Sequence, residues 1–219
     1  MRVLTYLSAL ILLASCGVIR NTPKFGLQDG VYELNKQPVF IENLEDTLLI
    51  STTKGAFIQA LPTIISKNQN LITFQKSTFD VDVLAIPVKF RACQSAIPTQ
   101  LTSEINGALY VGKRKDYFQI SYHKTPTNRF KRTLDHYGFS VGGFVGLGNS
   151  LVNSDLSQGK IVNEYQGITF SKGIAGIIAI NNFTLGVAYG FDQLLDSNAS
   201  NWIYNQKPWV GLALGLNLN

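Results

Sequence analysis

Residues 173–191 read GIAGIIAINNFTLGVAYGF, and this stretch decides the fold of the chain. A helix is disfavoured here because the glycines and β-branched residues lower helix stability. Asn181 and Asn182 stand in the middle, and Asn tolerates the positive φ angles of a two-residue hairpin turn. We therefore predict two antiparallel strands that reverse direction at these two asparagines.

The predicted hairpin has two unlike faces. A turn at residues 181–182 places Ile180 opposite Phe183 and Ile178 opposite Leu185, and strand side chains alternate between faces. The face that contains these pairs is bulky and apolar, whereas the other face carries mostly small or weakly polar residues. A soluble sandwich normally presents charged residues on its outer face. The pattern is instead typical of a transmembrane β-barrel, in which large apolar residues face lipid and small or polar ones face the lumen.

Several other segments carry strand patterns. Residues 137–149 and 207–219 repeat the asymmetry, each close to the 9–11 residues that cross a bilayer as a tilted strand. The predicted strands are 46–53, 71–77, 79–92, 106–122, 137–149, 165–180, 183–193 and 207–219. We predict an all-β, antiparallel up-and-down transmembrane β-barrel of about eight strands, the size at which side chains fill the interior. The alternative is an oligomeric barrel with four strands from each chain. Pro87 predicts a bulge or irregular pairing in its strand.

The composition agrees with a chain that exposes little charge to water. Charged residues make up 15% of the 219 residues, below the roughly 25% of soluble domains. The net charge of +5 is modest, and no nucleic-acid motif accompanies it. We therefore expect no nucleic-acid partner.

The N-terminus, MRVLTYLSALILLASCG, has the basic residue, apolar run and small residues of a secretory signal. The motif Leu13-Ala14-Ser15-Cys16 resembles the lipobox of bacterial lipoproteins. That resemblance implies cleavage before Cys16 and lipid anchoring through the acylated cysteine. The expected organisation is a signal peptide at 1–15, an N-terminal linker or periplasmic segment at 16–45, and the barrel at 46–219.

The connections between predicted strands differ in length. The turn at 181–182 is very short, whereas 149–164 and 194–206 are long and polar. In outer-membrane barrels, short turns face the periplasm and long loops face the exterior. This places the C-terminus in the periplasm and the long loops outside the cell.

Two segments resemble small porin-like outer-membrane β-barrel families of Gram-negative bacteria. They are DVLAIPVKFR and the glycine-rich hairpin FSKGIAGIIAINNFTLGVAYGF, and the resemblance covers roughly residues 79–219. It implies a protein of the cell outer membrane with a structural, narrow-channel or complex-partner role. Its expected partners are outer-membrane lipid, other envelope proteins or further copies of itself. The alternative is a lipid-anchored, lipocalin-like barrel that binds an apolar ligand.

The sequence predicts no catalysis, no cofactor and no metal site. Ser121 and Asp135 could accompany His123 or His136, but a catalytic triad is recognised by its geometry and not by composition, so these residues do not predict a hydrolase. Asp80 and Asp82 lack the further ligands of a metal site.

The small inward side chains of the predicted barrel leave space in its interior. We expect Lys89 and Arg91, with water, to occupy that space, because an inward Lys or Arg needs polar partners. Asp192 and Asn217 are the candidate partners that line the lumen.

Overall fold

The computed structural model of the chain describes residues 26–44, 47–61, 71–95, 97–127, 129–181 and 183–217. In this part of the chain it contains eleven antiparallel strands and one short 3-10 helix, Asp155–Ser157. The prediction of an all-β, antiparallel chain is confirmed. Within the same residues, no helix has the length and apolar character needed to cross a membrane.

The strands follow the chain from a short N-terminal group to a long C-terminal group. In order they are β1 (Gly30–Leu34), β2 (Gln37–Leu44), β3 (Thr47–Thr52), β4 (Phe57–Leu61), β5 (Leu71–Arg91), β6 (Gln100–Ser103), β7 (Asn106–Lys124), β8 (Phe130–Val152), β9 (Tyr165–Ile180), β10 (Phe183–Leu194) and β11 (Pro208–Asn217).

Six strands pair in a cycle, which we call the ring. Each is antiparallel to the next in the order β5, β7, β8, β9, β10 and β11, and β11 pairs back with β5. All six contribute side chains to one buried cluster, from Leu84 of β5 to Trp209 of β11. The pairing cycle therefore surrounds a shared core.

The ring corrects the predicted strand count of about eight. Its six strands are the six predicted from residue 79 onward. Residues 71–77 form no strand of their own but begin β5, because no turn interrupts the extended run Leu71–Arg91. Residues 47–52 form β3, which pairs with β2 and β4 and not with the ring. The alternative of four strands per chain is also wrong, since six strands of one chain complete the cycle.

The first four strands form a meander beside the ring. They include residues 30–44, which the predicted boundaries placed in the N-terminal linker. The meander joins the ring where Glu33 of β1 pairs with Gln75 of β5, and its apolar residues pack against Phe118. Phe118 also stacks on His136, whose backbone N–H donates to Oδ1 of Asn181. The meander thus lies at the end of the ring that carries the 181–182 turn.

The predicted hairpin register is confirmed. Phe183 pairs with Ile180 and Leu185 pairs with Ile178 along β9 and β10. Asn181 has a φ of 49°, which is the left-handed conformation that the turn requires. The backbone N–H of Asn181 donates to the carbonyl of His136, which holds the turn against β8.

The predicted irregularity at Pro87 is also confirmed. Leu212 pairs with Val88 and Leu214 pairs with Ala85, so Ile86 and Pro87 together oppose a single residue of β11. This is a β-bulge, and it places the proline where the regular ladder is interrupted.

Close packing inside the ring requires glycine at residue 142 of β8. A Cβ atom there would collide with the backbone of Val111 and Gly112 on β7. Any larger residue at this position would have to push the two strands apart.

Candidate functional site

Every strand of the ring exposes large apolar side chains on its outer face. Val187 of β10 is 59% exposed and Ile178 of β9 is 49% exposed. The large apolar side chains that are exposed on the ring strands are Leu71, Phe79, Val81, Phe90, Leu109, Val111, Phe130, Tyr137, Phe139, Val141, Val145, Leu147, Ile168, Ile174, Ile178, Ile180, Leu185, Val187, Tyr189, Val210, Leu212 and Leu214. We call this surface the apolar belt.

The interior of the ring is filled at its middle by large side chains. Tyr110, Phe144, Ile177 and Trp209 are all buried there, and Phe144 contacts Trp209 with ring centroids 5.9 Å apart. Tyr110 Oη and Ser140 Oγ share a hydrogen bond of 2.7 Å. This layer separates two groups of buried charges, one toward each end of the ring.

The first group lies toward the long loops, and we call it the loop-end cluster. Asp192 accepts from Lys89 Nζ at 2.8 Å and from Arg91 Nη2 at 2.6 Å. Glu104 accepts from the same guanidinium at 3.0 Å and lies 3.5 Å from Lys89 Nζ. All four side chains are almost fully buried. Two cations and two carboxylates therefore form a neutral cluster, as burial of charge demands.

Uncharged groups complete the loop-end cluster. Lys89 Nζ also donates to Asn106 Oδ1 at 3.0 Å and lies 4.5 Å from the centre of the Trp209 ring. Ser171 Oγ donates to Asp192 Oδ1 at 2.6 Å. These contacts hold Lys89 and Asp192 in one arrangement, because each charged group has several partners.

The second group lies toward the 181–182 turn and the meander. Asp116 Oδ1 accepts from Arg114 Nε at 2.8 Å and from His136 Nε2 at 2.7 Å. Asp80 lies 3.8 Å from Arg114 Nη1. Burial alone would raise the pKa of Asp116, but the hydrogen bonds from His136 and Arg114 outweigh it and lower the pKa below its usual value.

The structure brings together three of the residues predicted to line the lumen. Lys89 and Arg91 both contact Asp192, as described above. Asn217 belongs to β11 and pairs with Asp82, but its side chain lies outside the described part of the chain. Cys16 also lies outside the described residues. Cys93 is free and exposed.

Sequence reasoning missed Glu104 and Asn106, which complete the loop-end cluster. The signal was present in the alternation of β7, whose residues 106, 108 and 110 are all buried. Glu104 is two residues before Asn106, so the same alternation places the two side chains on the same side of the chain. Glu104 lies between β6 and β7. It was not recognised as inward because β6 and its pairing with β5 were not predicted.

The long loops fold into an ordered cap over this end of the ring. Leu156, Trp202 and Tyr204 pack in one buried cluster with the ends of β8 and β10. The backbone N–H of Ile203 donates to the carbonyl of Leu156 at 3.0 Å, which ties the loop after β10 to the loop after β8. The loops are therefore held in a fixed arrangement by their own small core.

An open pocket of about 300 Å³ lies between the cap and the loop-end cluster. Its lining comes from the segment after β5, from β6 and from both long loops. Arg91 and Glu104 reach it from the cluster, and Trp202 and Tyr204 reach it from the cap. The Arg91 guanidinium lies 5.3 Å from the Trp202 ring centre and 5.2 Å from that of Tyr204. The pocket is thus joined directly to the buried charges.

The histidines and carboxylates do not gather into a metal centre in the described part of the chain. His123 contacts Thr133 at 2.9 Å and is exposed, whereas His136 contacts Asp116. The two histidines thus have different partners.

Comparison of the chain with known protein families, with curated proteins and with solved structures finds no match.

Proposed function

We propose that the protein is an integral β-barrel lipoprotein of the outer membrane with a structural or complex-forming role. The observation that carries the proposal is the apolar belt, to which all six ring strands contribute exposed side chains. Soluble monomers rarely expose continuous apolar patches beyond a few hundred Å². Lipid contact would cover this surface, as it does on other barrels whose outward residues are apolar.

The charged residues on the outer face are consistent with a bilayer boundary. On β7 the exposed residues change from Leu109 and Val111 to Lys113 and Lys115. The membrane-spanning part of β7 would therefore end at Gly112, and Asp116 would lie outside it. The stretch of β9 from Lys172 to the 181–182 turn would span about 20 Å along the axis of a barrel whose strands have the usual tilt. This length is close to the height of the apolar band on transmembrane β-barrels.

The filled interior favours a structural role over a channel. Trp209 and Phe144 occupy the middle of the ring, and the four loop-end charges neutralise one another. A narrow channel needs a continuous polar path between the two ends. We therefore expect purified wild-type protein in a planar bilayer to give no conductance steps. Reproducible single-channel currents from the wild type would refute this part of the proposal.

The alternative, a lipocalin-like barrel that binds an apolar ligand, needs apolar side chains around an internal cavity. Ile178, Leu185 and Val187 are instead exposed on the outer face. Large buried side chains occupy the interior that a ligand would need. These two observations favour contact with lipid over capture of an apolar ligand.

Alkaline carbonate extraction tests membrane embedding. Replacement of residues 1–16 by the cleavable signal peptide of a soluble periplasmic protein removes both the expected acyl anchor and the apolar run before it, and the apolar belt should still retain the protein in the membrane pellet. Wild type is the control for expression and export. Release of this variant into the soluble fraction as a folded protein would refute embedding by the ring and leave only an anchored, peripheral protein.

A further inference from the structure

The pocket at the loop end has the dimensions of a small-molecule site. Its volume of about 300 Å³ lies at the lower limit of known ligand pockets, which suits a ligand of one or two sugar rings. Its walls come from three chain segments that the cap holds together. Ordered loops that a rigid scaffold holds around a cavity are a common setting for binding.

The charge of the pocket disfavours an anionic ligand. Arg91 is the basic residue that reaches the pocket, and it is already paired with Asp192 and Glu104. Asp155 adds an exposed carboxylate to the lining. An anion would compete with two carboxylates for one guanidinium and would approach a third negative charge. The lining therefore suits an uncharged ligand.

The remaining lining combines hydrogen-bonding amides with apolar walls. Gln100 and Asn153 are among the residues that line the pocket, and both have amide side chains. Asn153 Oδ1 accepts from the backbone N–H of Leu156 at 2.9 Å, which leaves its NH₂ group to donate to a ligand. Trp202 and Tyr204 are buried behind the Arg91 guanidinium, and the accessible apolar surface of the cavity comes from Ile97, Pro98 and Leu151. A sugar matches this lining, because its ring has an apolar C–H face and its edge carries hydroxyl groups.

We propose that the loop-end pocket binds a neutral saccharide of one or two residues. Amide donors and acceptors of Gln100 and Asn153 would bond the sugar hydroxyls, and the apolar wall of Ile97, Pro98 and Leu151 would contact the C–H face. The sugar would come from a free saccharide or from the headgroup of a neutral glycolipid, since both present the same hydroxyls. This inference depends only on the pocket and holds whether or not the ring crosses a membrane.

Isothermal titration of the full-length protein in detergent tests the proposal. The probes are glucose, galactose, mannose, N-acetylglucosamine, maltose, lactose and cellobiose, each raised to 10 mM, with inorganic phosphate as the anionic probe. At least one sugar should bind, and phosphate should not. Heat from phosphate alone, or from none of the probes, would overturn the proposal.

Two variants separate specific binding from general effects of substitution. Gln100→Ala combined with Asn153→Asp removes the amide donors but keeps an oxygen that accepts from Leu156. It should weaken binding of the sugar at least fivefold. Gln193→Ala combined with Asn163→Asp makes the same chemical changes at exposed positions outside the pocket, and it should stay within twofold of wild type. Equal affinities for the two double variants would overturn the proposed site.

The source of the sugar is distinguished by a second titration. Vesicles of neutral phospholipid containing monogalactosyl diacylglycerol are compared with free galactose at the same sugar concentration. Preference for the vesicles would identify a glycolipid headgroup, and equal or weaker binding would identify a free saccharide. In either case, Gln100→Ala combined with Asn153→Asp should weaken the binding. If vesicle binding is insensitive to them, it is general adsorption by the apolar belt and the glycolipid source is refuted.

Discussion

Substitution of Asp192 by Asn should strongly destabilise the protein. The Asp192 carboxylate is fully buried, 2.8 Å from Lys89 Nζ and 2.6 Å from Arg91 Nη2. Asn has nearly the same shape but no charge. The variant therefore leaves two buried cations facing one carboxylate, that of Glu104, and the cluster changes from neutral to a net charge of +1.

The magnitude follows from the distances and the burial. Two unit charges 2.8 Å apart attract by roughly 6 kcal/mol at an effective dielectric constant of about 20. Desolvation of both groups offsets part of this attraction, and breaking a buried pair typically costs about 3–5 kcal/mol. We expect Asp192→Asn to lower the free energy of unfolding by about that amount, which is a large share of the stability of a small protein.

A charge-balanced double variant separates electrostatics from packing. Lys89→Met alone leaves the cluster with a net charge of −1, whereas Lys89→Met with Asp192→Asn leaves Arg91 paired with Glu104 and restores neutrality. The cost of the double variant should therefore be about 2 kcal/mol less than the sum of the single costs. Asp135→Asn, at a half-buried aspartate of β8, is the control for an Asp-to-Asn change elsewhere.

Urea titration followed by tryptophan fluorescence measures these free energies. Both tryptophans of the chain lie beside the cluster, Trp209 under Lys89 and Trp202 beside Arg91. Additive costs in the double variant would refute the electrostatic coupling. A cost for Asp192→Asn no greater than that for Asp135→Asn would refute the buried cluster itself.

Three further outcomes are expected. Val187→Lys, near the middle of the apolar belt, should cost about 2–4 kcal/mol of unfolding free energy in lipid vesicles. Ile180→Lys, beside the turn, should cost about 0–1 kcal/mol, and equal costs would argue against lipid contact. Gly142→Ala should lower the stability in urea titration by about 1–3 kcal/mol because its Cβ meets the neighbouring strand, whereas Gly176→Ala has open space and should stay within about 0.5 kcal/mol. Because the pKa of Asp116 is lowered in the folded state, its stabilisation should be complete above the unfolded value of about 3.9 and disappear as pH falls through the folded pKa. The stability gap between wild type and Asp116→Asn, followed by urea titration, should therefore close in acid, and a constant gap to pH 2 would contradict this.

Much of the ring could be predicted from local patterns. Alternation with a period of two gave six strands, and Asn181-Asn182 gave the register of the β9–β10 hairpin. Pro87 correctly indicated a bulge because a missing N–H is incompatible with a regular ladder. Each of these features depends on residues close together in the chain, so short stretches were sufficient to predict them. Alternation fails across the bulge of β5, because Lys89 and Arg91 are buried together with Ile86, which a strict period of two places on the opposite face.

The sequence by itself thus determined the strand class, the two faces of β8, β9, β10 and β11, and the hairpin turn. Only the tertiary structure decided that β11 pairs with β5, which sets the ring at six strands and leaves the meander outside it. It also decided that Glu104 joins Lys89 and that Gln100 and Asn153 meet at one pocket. The physical reason is that these contacts join segments far apart in the chain. Their partners depend on how the whole sheet closes and how the loops pack, and no local period or turn specifies either.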